Sequence, residues 1–242
     1  MLKYFEDLEV GLASRIKEHP DRPNARKKFA LEIARIGKNL YSGQNRVAWC
    51  GISAPFDLLT AMDVTSCFVE FVGAMLATTG FVGHFLEKAE QDGYAADTCG
   101  YHRSVIGATR EGVMPVPEIL IATSCPCSGG LAVMENLARY FKKDLFVLNV
   151  PQEESREGIR YLADQIKDMV DFVVQHTGQP LDKERLAECI KNTNFAREIM
   201  VDVYHLAQNI PSPTDGRDLS NLGIVHPLLF GSEAAIEIAQ AY

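Results

Sequence analysis

The residues best able to do chemistry concentrate in two short segments, Asp97-Thr-Cys99-Gly-Tyr101-His102-Arg103-Ser104 and Ser124-Cys125-Pro126-Cys127-Ser128-Gly129-Gly130. Thiolates are soft ligands. Cys99, Cys125 and Cys127 can therefore hold iron in a cluster or, with His102 at Cys-x-x-His spacing, zinc as a Cys₃His site. A helix predicted just after each loop would lower thiol pKa values through its N-terminal dipole and help to hold an anionic group. Ser128, Gly129 and Gly130 would let backbone amides approach sulfur. Cys67 and Cys189 read instead as small buried hydrophobes, and Cys50, late in an apolar run beside Trp49, reads as core.

Several familiar chemistries lack their motifs. There is no Walker-type phosphate loop, no Gly-x-Gly-x-x-Gly fingerprint and no His-Glu-x-x-His pair. No serine sits in a Gly-x-Ser-x-Gly elbow, although Cys125 with a distant histidine stays compatible with a thiol nucleophile.

The elements that must position the cysteines follow from the apolar pattern. A charged helix from about Leu2 to Leu40 precedes Arg46–Ile52, whose short apolar run before Pro55 predicts a buried strand. Phe56–Met62 predicts a short helix and Phe68–Leu86 a buried one, since Glu70, His84 and three glycines argue against a membrane span there. The glycine-containing stretch Gly73–Gly83 suits a substrate channel and close helix packing equally. Glu118–Ser124 and Asp144–Val150 predict two further strands, with a helix over about Leu131–Lys143 between them.

Strand, loop, helix, strand is a βαβ unit. The fold class is thus α/β, a Rossmann-like parallel sheet with helices on both faces and then a helical segment. The cysteine loop falls at the carboxyl ends of strands, where open α/β sheets bind ligands. Beyond it, Ile159 to Val173 mark an apolar helix face with Gly178 as its stop, and Leu186 to Ala207 a second long helix. Pro211–Gly216 reads as a turn-rich linker and Ser232–Tyr242 as a helix without a C-cap.

Composition sets outer bounds on these readings. The 242 residues, 47% hydrophobic and 23% charged, describe a globular chain. A net charge of −8 excludes a non-specific nucleic-acid binder. The opening residues carry no signal-peptide pattern, which predicts a reducing cytoplasm, thiols rather than disulfides, and no membrane partner.

The ordered motifs resemble the 2-hydroxyacyl-CoA dehydratase and benzoyl-CoA reductase family of iron–sulfur subunits. Arg46–Ala61 resembles the family's opening strand, proline and helix; Cys99–Ser104 resembles the segment with its first cluster cysteine; and Ile119–Cys125 resembles the strand ending on its second. Val150-Pro151, Gly178–Leu186 and Asn192-Thr-Asn194 follow in the family's order, so the resemblance covers about residues 40 to 220.

The resemblance implies a [4Fe-4S] cluster, or in some branches a double-cubane cluster, with Cys99 and Cys125 as ligands. The third family cysteine belongs to a second α/β domain, and this sequence stops before it. Truncation, completion by another chain and substitution by Cys127 would each account for that. The implied organisation is an N-terminal helical segment (1–45), a cluster-binding α/β domain (46–152), a helical segment (153–210), and a linker with the start of a truncated second domain (211–242). The implied activity is ATP-dependent radical chemistry on an acyl-CoA, with a homologous second subunit in a heterodimer. An ATP-hydrolysing iron–sulfur activator would use the ATP and deliver a low-potential electron. His102 and Ser128 become catalytic candidates, and Tyr101, Arg103, Ser104, Gly129 and Gly130 cofactor-binding ones. A zinc-stabilised Cys/His regulatory module and a non-catalytic scaffold subunit are the alternatives.

Overall fold

A computed structural model of the chain describes residues 1–20, 25–78 and 80–242. Its elements run α1 (Leu2–Glu18), α2 (Ala25–Tyr41), β1 (Arg46–Cys50), α3 (Phe56–Ala61), β2 (Val64–Phe68), α4 (Val69–Thr78), α5 (Val82–Gln91) and α6 (Gly100–Arg110). They continue with β3 (Ile119–Thr123), α7 (Ser128–Phe141), β4 (Leu145–Leu148), α8 (Arg156–Thr177), α9 (Lys183–Leu206) and α10 (Gly216–Ser220). A π-turn and a 3₁₀ turn over Asn221–Leu229 lead to α11 (Glu233–Ala241).

The chain divides into two compact units. One comprises Arg46–Ala54 and Ser66–Pro180, the other Met1–Asn45, Pro55–Thr65 and Leu181–Tyr242. Thus α8 and α9, consecutive in sequence, belong to different units.

The sheet has the order β2-β1-β3-β4, with β1–β3 and β3–β4 parallel. Its central strands are apolar on both sides: Ala48, Trp49, Cys50, Ile119, Leu120 and Ile121 are fully buried. This is the pattern of a parallel sheet covered on both faces. The register shows how. Trp49, Leu120 and Leu145 lie side by side, and the Trp49 ring meets Phe141 of α7 edge-on at 5.0 Å. The next row, Cys50, Ile121 and Phe146, points to the other face, where Phe146 packs on Phe172 of α8 at 5.4 Å. A single-residue step along the strands therefore assigns α7 and α8 to opposite faces.

Local chemistry sets the long helices. Ser155 Oγ accepts from Gly158 N to start α8, and Gly178, at φ 72°, ends it in the left-handed conformation, as the sequence predicts. Asp182 accepts from the amides of Glu184 and Arg185 to start α9.

In the other unit, Arg185 pairs with Asp63 through two contacts of 2.5 and 2.6 Å, and Arg26 joins Asp215 and Asp218. His226 is fully buried, its Nε2 2.6 Å from the Ala235 carbonyl.

Two expectations need correction. The opening helix is two helices: α1 ends at Glu18, and His19, at φ −135° and ψ 64°, adopts the non-helical conformation imposed by the following Pro20. Residues 21–24, which the single helix spanned, lie outside the described residues. The segment Phe68–Leu86 is likewise no single buried helix. It comprises the end of strand β2, then α4, then α5, with Gly80 at φ 78° between the helices and Phe81 mostly exposed. Thr79, within the Gly73–Gly83 stretch, lies outside the described residues. The Val64–Phe68 strand has no local sequence mark, because its apolar residues merge with those of α4 without a turn signal.

Candidate functional site

The site builds from the carboxyl ends of β1 and β3. Thr123 Oγ1 donates to the Cys125 carbonyl at 2.7 Å, and Val150 N donates to Ser124 Oγ at 2.9 Å, so the cysteine loop is pinned to the strand ends. Gly51, Glu70, Thr123, Cys125, Cys127 and Gly130 are among the residues lining one narrow crevice there.

Cys99 is the N-cap of α6 and Cys127 the N-cap of α7; neither side chain caps its helix. Elsewhere Ser155, Asp182 and Ser232 accept from the first turns they precede. The first turns of α6 and α7 are thus left without a side-chain acceptor, with thiols at their positive ends. Helix α7 starts at Ser128, three residues earlier than its apolar pattern suggests, because the small residues Ser128, Gly129 and Gly130 form its first turn.

The six cysteines separate by burial. Cys50, Cys67 and Cys189 are buried; Cys99, Cys125 and Cys127 are exposed. Burial pushes the Cys50 thiol up to about 12 and raises those of Cys67 and Cys189 as well, so these three stay protonated near neutrality. This matches the sequence-based division into core and loop cysteines.

The segment after Cys99 is helical, and its side chains diverge. His102, in the first turn of α6, points inward and is 4% exposed. Tyr101 is exposed. Arg103 donates from Nε to the Thr98 carbonyl at 2.9 Å and pairs with Glu90, which ties α6 to α5. Ser104 is fully buried and donates to the Tyr101 carbonyl at 2.9 Å. Ser128 and Gly129 are exposed at the start of α7, whereas Gly130 is buried and lines the crevice.

Glu70 joins this group, although the sequence offered it only as an argument against a membrane span. It sits in the first turn of α4, directly after β2, and its Oε1 lies 3.8 Å from His102 Nε2. Its Oε2 is buried without a hydrogen-bond partner. A β-carbon on Gly130 would lie 3.3 Å from Glu70 Oε1 and 3.6 Å from His102 Nε2; one on Gly129 would lie 3.4 Å from Cys127 Sγ and 3.9 Å from His102 Nδ1. The structure therefore gathers His102, Cys127, Gly129, Gly130 and Glu70. The signal that could have found Glu70 is its place directly after a strand, but Val64–Cys67 carries no local mark that sets it apart as one.

The donor types suit iron: exposed thiols at helix N-termini are what an anionic iron–sulfur centre needs. Among the described residues, however, no three of His, Cys, Asp and Glu are arranged to hold a metal ion. Cys99, Cys125, Cys127 and His102 do not form a closed Cys₃His site. No helix among the described residues is long and apolar enough to cross a membrane.

The family model for the D-component of 2-hydroxyglutaryl-CoA dehydratase matches residues 52–242. The chain belongs to this family. Among curated relatives, an (R)-phenyllactyl-CoA dehydratase alpha subunit of Clostridium sporogenes is 24% identical over 201 residues, covering 79% of this chain and 49% of its own length. A lactoyl-CoA dehydratase alpha subunit of Anaerotignum propionicum is 25% identical over 198 residues, 72% of this chain and 47% of the relative. A benzoyl-CoA reductase subunit of Thauera aromatica is 28% identical over 145 residues, 55% of this chain and 34% of the relative. Both branches of the resemblance read from the sequence are thus represented. The chain spans about half the length, or less, of these relatives.

Proposed function

We propose that this chain forms the cysteine-bearing part of a subunit in an acyl-CoA dehydratase or reductase complex. In this reading Cys99 and Cys125 are ligands of a [4Fe-4S] cluster, Cys127 is a third thiol that lines the crevice with Cys125, and the rest of the ligand set lies outside these 242 residues. When bound, the cluster supplies the low-potential electron transfer that 2-hydroxyacyl-CoA dehydration or benzoyl-CoA-type ring reduction requires. The partners are a homologous second subunit and an ATP-hydrolysing iron–sulfur activator.

The observation that carries the reading is the pair of helices, α6 and α7, that both begin on an exposed cysteine and lack a side-chain acceptor for their first amides. Those amides, with the small residues Gly129 and Gly130, offset negative charge on thiolate sulfur. His102 is a buried proton-carrying group behind Gly129 and Gly130, and Ser128 offers an exposed hydroxyl at the start of α7. Tyr101 presents an exposed ring to a ligand, while Arg103 and Ser104, bound within the protein, fix the helix that carries Cys99 and His102.

Anaerobic purification followed by iron, acid-labile sulfide and zinc analysis tests this, alone and with a co-expressed homologous subunit. Iron and sulfide that disappear in Cys99→Ala and Cys125→Ala are expected. Zinc without sulfide, or iron indifferent to both substitutions, overturns the assignment.

A further inference from the structure

We propose that Glu70 is a positioning residue for His102: it accepts the Nε2–H of the imidazole and so leaves Nδ1 unprotonated on the side of Gly129 and Cys127. The inference rests on the reading of His102 as the proton-holding residue of this site, and it adds the group that fixes which ring nitrogen holds the proton.

Three observations support it. His102 is 4% exposed yet makes no hydrogen bond among the described residues, which is unusual for a buried imidazole with one obligatory N–H. The facing group is a carboxylate, Glu70, whose Oε1 lies 3.8 Å from Nε2 and whose Oε2 is buried without a partner. A modest side-chain rotation of Glu70 closes the gap of roughly 1 Å to hydrogen-bond distance, and either oxygen can serve. Gly130 keeps the path open, since any side chain there would start 3.3 Å from Glu70 Oε1 and 3.6 Å from Nε2.

The ring's orientation sets the consequence. The Nε2 edge faces Glu70 and Gly130, and the Nδ1 edge faces Gly129, whose β-carbon position is 3.9 Å from Nδ1 and 3.4 Å from Cys127 Sγ. The partner of one ring nitrogen selects the tautomer and hence the role of the other. With Nε2 donating to Glu70, Nδ1 carries a lone pair and takes a proton from a group bound on that side. The product is an imidazolium whose charge Glu70 compensates. The proton returns by the same route, so no atom or electron is left over.

Long-range ¹H–¹⁵N NMR of the intact chain tests the assignment, with His102→Asn identifying the resonances. A protonated Nε2 is expected for His102, with a ring N–H that persists in water. In Glu70→Met, which keeps length but removes the acceptor, that resonance is expected to exchange away while the other histidines are unmoved. If Glu70→Met fails to fold, Glu70→Gln is expected to shift the same proton upfield, because a neutral acceptor bonds more weakly than a carboxylate. A proton on Nδ1 in the wild type, a resonance that survives Glu70→Met, or an unshifted one in Glu70→Gln overturns the proposal. The NMR readout is independent of turnover. Normal activity of His102→Asn in the reconstituted complex would instead remove the catalytic reading of His102.

Discussion

Replacing Gly73 by alanine is expected to loosen the helix that carries both Cys99 and His102. Gly73 is buried in α4 where it meets α6. A β-carbon there would lie 2.5 Å from the Tyr101 carbonyl oxygen and 3.0 Å from both Tyr101 Cα and Ser104 Oγ. Two of the three atoms are backbone, so no side-chain rotation relieves the clash. The helices must separate by roughly 1 Å to restore ordinary contact. Overpacking of this kind costs about 1–3 kcal/mol, offset by the roughly 1 kcal/mol that alanine gains over glycine in a helix. The net expectation is about 0–2 kcal/mol lost and a Tm lower by up to about 8 °C, against a gain of roughly 1 kcal/mol for a clash-free change of the same kind. Gly83→Ala in α5 is the matched control: nothing lies within 4 Å of its β-carbon, so it gains the propensity with no clash. Urea and thermal denaturation followed by circular dichroism measure both, and the His102 resonances report whether α6 has moved. If Gly73→Ala is as stable as Gly83→Ala and leaves those resonances in place, the close approach of α4 to α6 is refuted.

Two further predictions address the thiols and the pH response. A thiol-specific chromogenic reagent is expected to modify Cys99, Cys125 and Cys127 rapidly in the native apo-protein, and Cys50, Cys67 and Cys189 only after unfolding, since burial keeps the latter protonated and out of reach; more than three fast thiols would contradict the division. His226 has a lowered pKa because burial disfavours its cation, against an opposing hydrogen bond to the Ala235 carbonyl. The unfolded chain therefore takes up a proton near pH ~6.5 that the folded one refuses, and stability present above that pH is lost as pH falls, by at most about 1.4 kcal/mol per pH unit. Urea midpoints between about pH 7 and about pH 5.5 should fall in the wild type and fall less in His226→Gln, whereas equal slopes would remove His226 as the cause.

The sequence by itself determined the elements whose signals are local. The apolar runs at Arg46–Cys50, Ile119–Thr123 and Leu145–Leu148 are strands because each is short, β-prone and bounded by breakers. Ser155, Gly178 and Asp182 delimit their helices through hydrogen bonds and backbone conformations that depend only on neighbouring residues. The cysteines also divided correctly, because polar and glycine-rich surroundings mark a loop while an apolar run marks a core. Tertiary structure decided what local pattern could not encode. The Val64–Phe68 strand merges with α4 in a continuous apolar stretch, and only pairing beside β1 distinguishes it. Glu70 acquires its place from that strand, and its meeting with His102, thirty-two positions away, exists only once α4 and α6 pack through the missing side chain of Gly73. Spacing along a chain reports which residues share a loop or a helix face; which carboxylate faces which imidazole is fixed by the packing of elements distant in sequence.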